Sequence, residues 1–262
     1  MSPSPTEKLQ VALHGHAAVV TINNPAANTW DAESLSGLSA LVANLNADRN
    51  IYALVITGSG DKFFSAGADL NMFARGDKAV AQDIALKFAQ AFEALADFRG
   101  VSIAAINGFA MGGGLECALA CDIRIAEEQA QLALPEAKVG LLPCAGGTQR
   151  LSALVGAGWA KRMILCGERL KADTALRIGL VEEVVARGEA LPAALALAEA
   201  AAQQSPLAVS YCKELIHEAR NAVIAKGLLL ERERFVQLFD SADQQEGVNA
   251  FLEKRQAEWK NA

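Results

Sequence analysis

Three short apolar runs constrain this chain more than any other feature: Ala53–Thr57, Val101–Ile106 and Ile123–Ala126. Continuous apolar residues, rather than alternating ones, mark strands buried on both faces, the habit of parallel sheets. Helical spacing lies between and around them. Leu35, Leu38, Leu41, Val42 and Leu45 form one stripe within residues 31–48, with Thr29 or Asp31 as the N-cap. Ile84, Phe88 and Phe92 mark a second helix that ends near Gly100, and Gly112 to Gly114 open a third. Strands alternating with helices predict right-handed β-α-β units and an α/β fold with a parallel core.

The flanks complete the pattern. Val11–Leu13 and Ala17–Ile22 enclose His14-Gly15-His16 and predict a β-hairpin, and a long loop is expected from Gly58 through Gly67. From Gly147 onward the pattern turns helical. Leu191–Ala202, Pro206–Ala219 and Ala222–Phe239 are separated by short polar breaks, and residues 251–259 add another turn or two. The expected organisation is a core over residues 1–195, with residues 1–8 frayed, and a helical C-terminal region over 196–262.

Charge and composition exclude several classes. Lys and Arg total 24 against 30 Asp and Glu, for a net charge of −6, and only 6% of residues are aromatic. A nucleic-acid binder needs a basic stripe or stacking platforms, and neither is present. The charge-free apolar stretch Val101 to Leu115 is too short for a membrane span and contains Asn107 and four glycines. The first ten residues lack the apolar segment of a signal peptide. Five cysteines without a C-x-x-C pair fit buried thiols in a reducing compartment, so a cytoplasmic protein is expected. The three histidines show no metal-ligand spacing, and no metal site is expected.

Familiar phosphate and nucleophile motifs are also missing. GLLPCAGGTQR lacks the Gly-Lys-Ser/Thr ending of a P-loop, Cys117 occupies the sixth position of a would-be G-x-G-x-x-G, and no G-x-S-x-G elbow occurs. Three glycine-rich blocks at strand ends remain: residues 63–73 (FFSAGADLNMF), 106–118 (INGFAMGGGLECA) and 132–150 (LALPEAKVGLLPCAGGTQR). Glycine there lets a ligand reach backbone N–H groups, and two amides aimed at one point make an oxyanion hole. Any one block alone suits a tight turn equally well. Glu116 and Glu136 lie in otherwise apolar surroundings, where glutamate is seldom buried without a partner. Glu116 also suits a helix N-terminus, and Glu136 also suits an ion pair with Lys138.

In this order and at these separations, the blocks resemble the enoyl-CoA hydratase/isomerase (crotonase) superfamily. The likeness runs from about His16 to the end and includes ITGSGDKFFSAGADL, CDIRIA and ILCGERLKADTALRIGLV. The resemblance implies a crotonase-like spiral of β-β-α units with a helical C-terminal trimerisation region, assembled as a homotrimer or homohexamer. It implies an acyl-CoA thioester substrate, with coenzyme A part of that substrate and no separate cofactor. By motif position the amides of Ala68 and Gly113 match the oxyanion hole, and Ala66, Asp69 and Leu70 match backbone lining the CoA moiety. Glu116 and Glu136 match the two hydratase glutamates, with Glu136 expected to be ionised and Glu116 to hold the same water.

Three positions depart from the family pattern. Asn71 stands where lysine is common, Cys144 replaces a glycine, and the segment around Ala27 (NNPAANTW) differs near the presumed pantetheine path. Met72, Phe73, Leu141 and Trp159 are candidates for the acyl wall or simply for the core. The expected activity is hydration of a trans-2-enoyl-CoA by a bacterial enzyme. Isomerisation or another crotonase-type reaction is the alternative, and a non-catalytic CoA-ester or RNA-binding protein is the alternative of another class.

Overall fold

The computed structural model describes residues 4–74 and 76–257. Its main sheet has six strands: β1 (Leu9–His14), β2 (Ala17–Ile22), β3 (Ala53–Gly58), β5 (Val101–Ile106), β7 (Ile123–Glu127) and β10 (Glu183–Val185), in that spatial order. The hairpin partner β1 is antiparallel, and the rest are parallel. A second sheet holds β4 (Phe63–Ser65), β6 (Phe109–Met111) and β8 (Gln131–Ala133) in parallel, with β9 (Leu170–Lys171) antiparallel at the edge.

Each turn of the chain therefore lays one long strand in the first sheet and one short strand in the second, then enters a helix. β3 and β4 lead to α2 (Lys78–Ala96), β5 and β6 to α3 (Gly113–Ala120), and β7 and β8 to α4 (Gly147–Leu165). This is the expected β-β-α spiral. The long loop expected after Gly58 is interrupted by β4, and the helical region after Gly147 contains β9 and β10. Strands of two or three residues carry too little periodicity to stand out in a sequence.

The apolar runs are buried on both faces for identifiable reasons. On one face Leu54, Ile56, Ala104 and Ile106 join the large core shared with α1 (Ala32–Ala47) and α2. On the other, Ala53, Val55, Ile103, Ala105 and Ile125 meet Ala190, Ala194 and Ala198 of α6 (Ala190–Ala202). The small α6 side chains let this helix lie close to the sheet. The division expected at residue 195 falls inside α6.

Asp31 is the N-cap of α1, accepting from the Ser34 amide while the Ser34 hydroxyl accepts from the Asp31 amide. The short α5 (Ala172–Arg177) joins β9 to the β10 strand. The expected break between residues 219 and 222 does not exist. One helix, α7, runs from Pro206 to Leu238, because Arg220-Asn221 is polar but compatible with helix, and proline stands only at its first position. The last helix, α8, is Ala242–Leu252, capped by the Ser241 side chain on the Gln244 amide, rather than a turn over 251–259. Trp259 lies outside the described residues.

Candidate active site

The second sheet positions the site. Gly67 and Ala68 follow β4, Gly112 and Gly113 follow β6, and Glu136 follows β8, so three adjacent parallel strands deliver all three segments to one edge. Ligands bind beyond the carboxyl ends of such strands. The Trp30 amide donates to the Gly67 carbonyl at 2.8 Å, and the Asp69 amide donates to the Trp30 carbonyl at 2.9 Å. In that parallel bridge the middle residue, Ala68, turns its own N–H away from Trp30.

Gly113 is the first residue of α3, where helix amides have no intrahelical acceptor. The two amides are neighbours. A Cβ on Gly67 would fall 3.1 Å from the Gly113 nitrogen and only 2.7 Å from the Met111 carbonyl, at φ +96°. A Cβ on Gly113 would fall 3.6 Å from the Ala68 nitrogen. Among the described residues neither amide donates to a protein acceptor. The pair, backed by the start of α3, suits an oxygen that gains negative charge.

Two carboxylates flank this point, and their environments differ. Glu116 is 3% exposed on the first turn of α3, and its Oε1 accepts from the amides of Ala145 at 2.8 Å and Gly147 at 2.9 Å. Glu136 opens a 3₁₀ turn after Pro135. Both of its carboxylate oxygens are withdrawn from solvent and have no hydrogen-bond partner, so an ion pair with Lys138 is not formed. Its Oε1 faces Gly112, where a Cβ at φ +53° would sit 3.2 Å away.

Burial, reinforced by the Glu116 charge, holds the Glu136 carboxyl well above the usual range. Burial and the nearby Glu231 raise Glu116 to about 8, against the pull of its two amides. The two amides favour the ionised form of Glu116, and Glu136 has no such donor. Charge-stabilising hydrogen bonds, which sequence does not show, make the difference.

The enoyl-CoA hydratase/isomerase family matches residues 14–262 of this chain. The chain belongs to this family. A short-chain-enoyl-CoA hydratase of Clostridium acetobutylicum is 39% identical over 245 residues, covering 93% of this chain and 94% of that one. The solved structure of Pseudomonas aeruginosa DspI is 69% identical with a TM-score of 0.82, covering 90% of this chain and 96% of that one. A carnitinyl-CoA hydratase structure from Mycobacterium avium is 36% identical with a TM-score of 0.87, covering 98% and 100%.

In this crotonase-superfamily chain the remaining expected residues fall into two groups. Ala27 and Ala66 are joined by a 2.9 Å bond from the Ala66 amide to the Ala27 carbonyl. Asp69 accepts from the Asn71 amide and side chain, at 3.0 and 2.8 Å, and so caps the turn that contains Leu70. These five residues form a rim beside Ala68. Cys144 is buried next to Ala145, and burial followed by the charges of Glu116, Glu231 and Glu136 pushes its thiol well up, leaving it neutral. Phe73 is 5.6 Å from Phe235 between ring centroids, and Leu141 is buried; both are core residues. Trp159 carries the Arg162 guanidinium 4.3 Å above its ring.

One residue escaped sequence reasoning altogether. Glu231 of α7 is 4% exposed and accepts from the amides of Gly146 at 2.7 Å and Thr148 at 2.9 Å, and from the Thr148 hydroxyl. The only hint was an acidic residue directly after the Leu228–Leu230 run. Among the described residues no cluster of three metal-ligating side chains forms, and no helix is long and apolar enough to cross a membrane.

Proposed function

We propose that the protein adds water across the 2,3-double bond of a trans-2-enoyl-CoA to give a 3-hydroxyacyl-CoA. The observation that carries this reading is the unequal carboxylate pair at one amide-lined point. The thioester oxygen sits between the Ala68 and Gly113 amides, where enolate charge develops; such donors are worth roughly 2.7–4 kcal/mol each. Ionised Glu116, held by two amides, takes a proton from water as the water oxygen bonds to C3. Neutral Glu136, with no protein partner, gives its proton to C2. The π bond is consumed, one O–H and one carboxylic O–H break, and the pair resets when a proton passes from Glu116 back to Glu136. The step is redox-neutral.

Ala27, Ala66, Asp69, Leu70 and Asn71 form the rim proposed to hold the CoA moiety, and Cys144 borders the water loop. The names of the Clostridium and Mycobacterium relatives support an acyl-CoA substrate. Exposed Leu207, Tyr211 and Leu215, spaced four apart on α7, support a subunit contact in a homotrimer or homohexamer. Free thiols at all five cysteines support a cytoplasmic setting. The test follows the ultraviolet band of crotonyl-CoA, lost as its conjugated double bond is hydrated. Wild type removes it, and Glu136→Gln does not. Isomerisation is favoured instead if Glu136 alone suffices: Glu116→Gln then keeps its rate with a 3-enoyl-CoA, while hydration is absent in both proteins.

A further inference from the structure

Helix α4 has Gly146 at its N-cap, with no side chain to cap it. Its first amides are capped instead from two other helices. Along residues 145–148 the backbone N–H groups go alternately to Glu116 (Ala145 and Gly147) and to Glu231 (Gly146 and Thr148). A single loop is thus gripped on opposite sides by two buried carboxylates, one on α3 and one on α7. The Glu231 end is itself anchored. Neighbouring Arg232 pairs with Glu93 of α2, and Phe235 packs against Phe73.

We propose that Glu231 is a positioning residue for the hydration step: it grips the loop from behind so that the Ala145 and Gly147 amides stay on Glu116. This role rests on the hydratase reading. With glutamine at 231 only one acceptor oxygen remains for the Gly146 and Thr148 amides, and the lost hydrogen bond costs enough to displace the loop. Displacement withdraws the donors that hold the Glu116 carboxylate where it must meet water. Three titratable or charged groups face the carboxylate pair: Glu136 after β8, Arg150 of α4 and the neutral Cys144 thiol, while Glu93 and Asp97 of α2 act on the Arg150 guanidinium.

The experiment uses full-length Glu231→Gln and measures two things: hydration of crotonyl-CoA across pH, and hydrogen exchange of residues 145–148 without substrate. The expected result is faster exchange in that segment and kcat lower by about 10²-fold with KM unchanged. Thr148→Val, which removes only the hydroxyl donor and keeps the carboxylate, gives a smaller kcat loss. It carries the test if Glu231→Gln fails to fold. Unchanged exchange overturns the proposal, and so does faster exchange with unchanged kcat. If the parent hydrates no enoyl-CoA, the hydratase reading fails separately, and the exchange result still decides whether Glu231 holds the loop.

Discussion

The two ends of α3 hold carboxylates withdrawn from solvent, fully or in part, under opposite regimes. At its C-terminal end, Asp122 accepts from the Ser102 amide at 2.8 Å and hydroxyl at 3.0 Å and from Lys213 at 2.8 Å, with His217 at 3.5 Å. Burial alone would raise this carboxyl, but His217, Lys213 and Ser102 outweigh it and hold it below the usual range. At the N-terminal end, Glu116, Glu136 and Glu231 share a buried region, and all three are raised. A carboxylate that ties α7 to the sheet has its partners supplied. One proposed to exchange a proton with substrate is left short of them.

The largest expected break in that contrast is Glu136→Gln. Hydration of crotonyl-CoA falls by about 10²–10⁴-fold, the usual worth of an acid-base group, while the melting temperature at pH 8 stays level or rises. Raised carboxyls contribute stability that is fully present below their unfolded value and lost as pH climbs through the folded one. The parent therefore loses stability relative to Glu136→Gln as pH rises above the unfolded carboxyl value of about 4.3, as thermal melts at rising pH show.

Asp122→Ala inverts the pattern. It leaves Lys213 without its carboxylate and costs about 3 kcal/mol in urea unfolding, with kcat on crotonyl-CoA retained. Because the folded pKa of Asp122 is lowered, its contribution is present above the unfolded value. The gap between parent and variant closes as pH falls below about 4.

The wild-type pH profile sharpens the assignment of roles at the other end. kcat/KM rises as pH approaches about 8 with ionisation of Glu116, then falls at higher pH as Glu136 loses its proton. A profile that only falls from pH 5 upward would remove the ionised base from the mechanism. The smallest effect belongs to the rim. Asn71→Lys, at an exposed position, changes KM for crotonyl-CoA by about twofold, in line with roughly 0.5 kcal/mol for surface substitutions.

The long strands and α1 through α3 were legible because their periodicity is local and repeated, as with Leu54 and Ile56 against one layer and Ala53 and Val55 against the other. β4, β6, β8, β9 and β10 were not, since two to three residues hold no pattern. Yet β4, β6 and β8 are the strands that aim the site. The continuity of α7 is not legible because the polar pair Arg220-Asn221 resembles a break, although only proline reliably makes one.

Sequence by itself determined the strand runs, the glycines beside the future oxyanion point, and the presence of Glu116 and Glu136 at two loop ends. Tertiary structure decided which glutamate is easier to ionise. That choice depends on the amides of Ala145 and Gly147, and on Glu231, which bonds Gly146 from 85 residues away. Backbone pattern is a short-range property, whereas proton affinity sums desolvation, charge and hydrogen bonds from every segment that folding brings within a few ångströms.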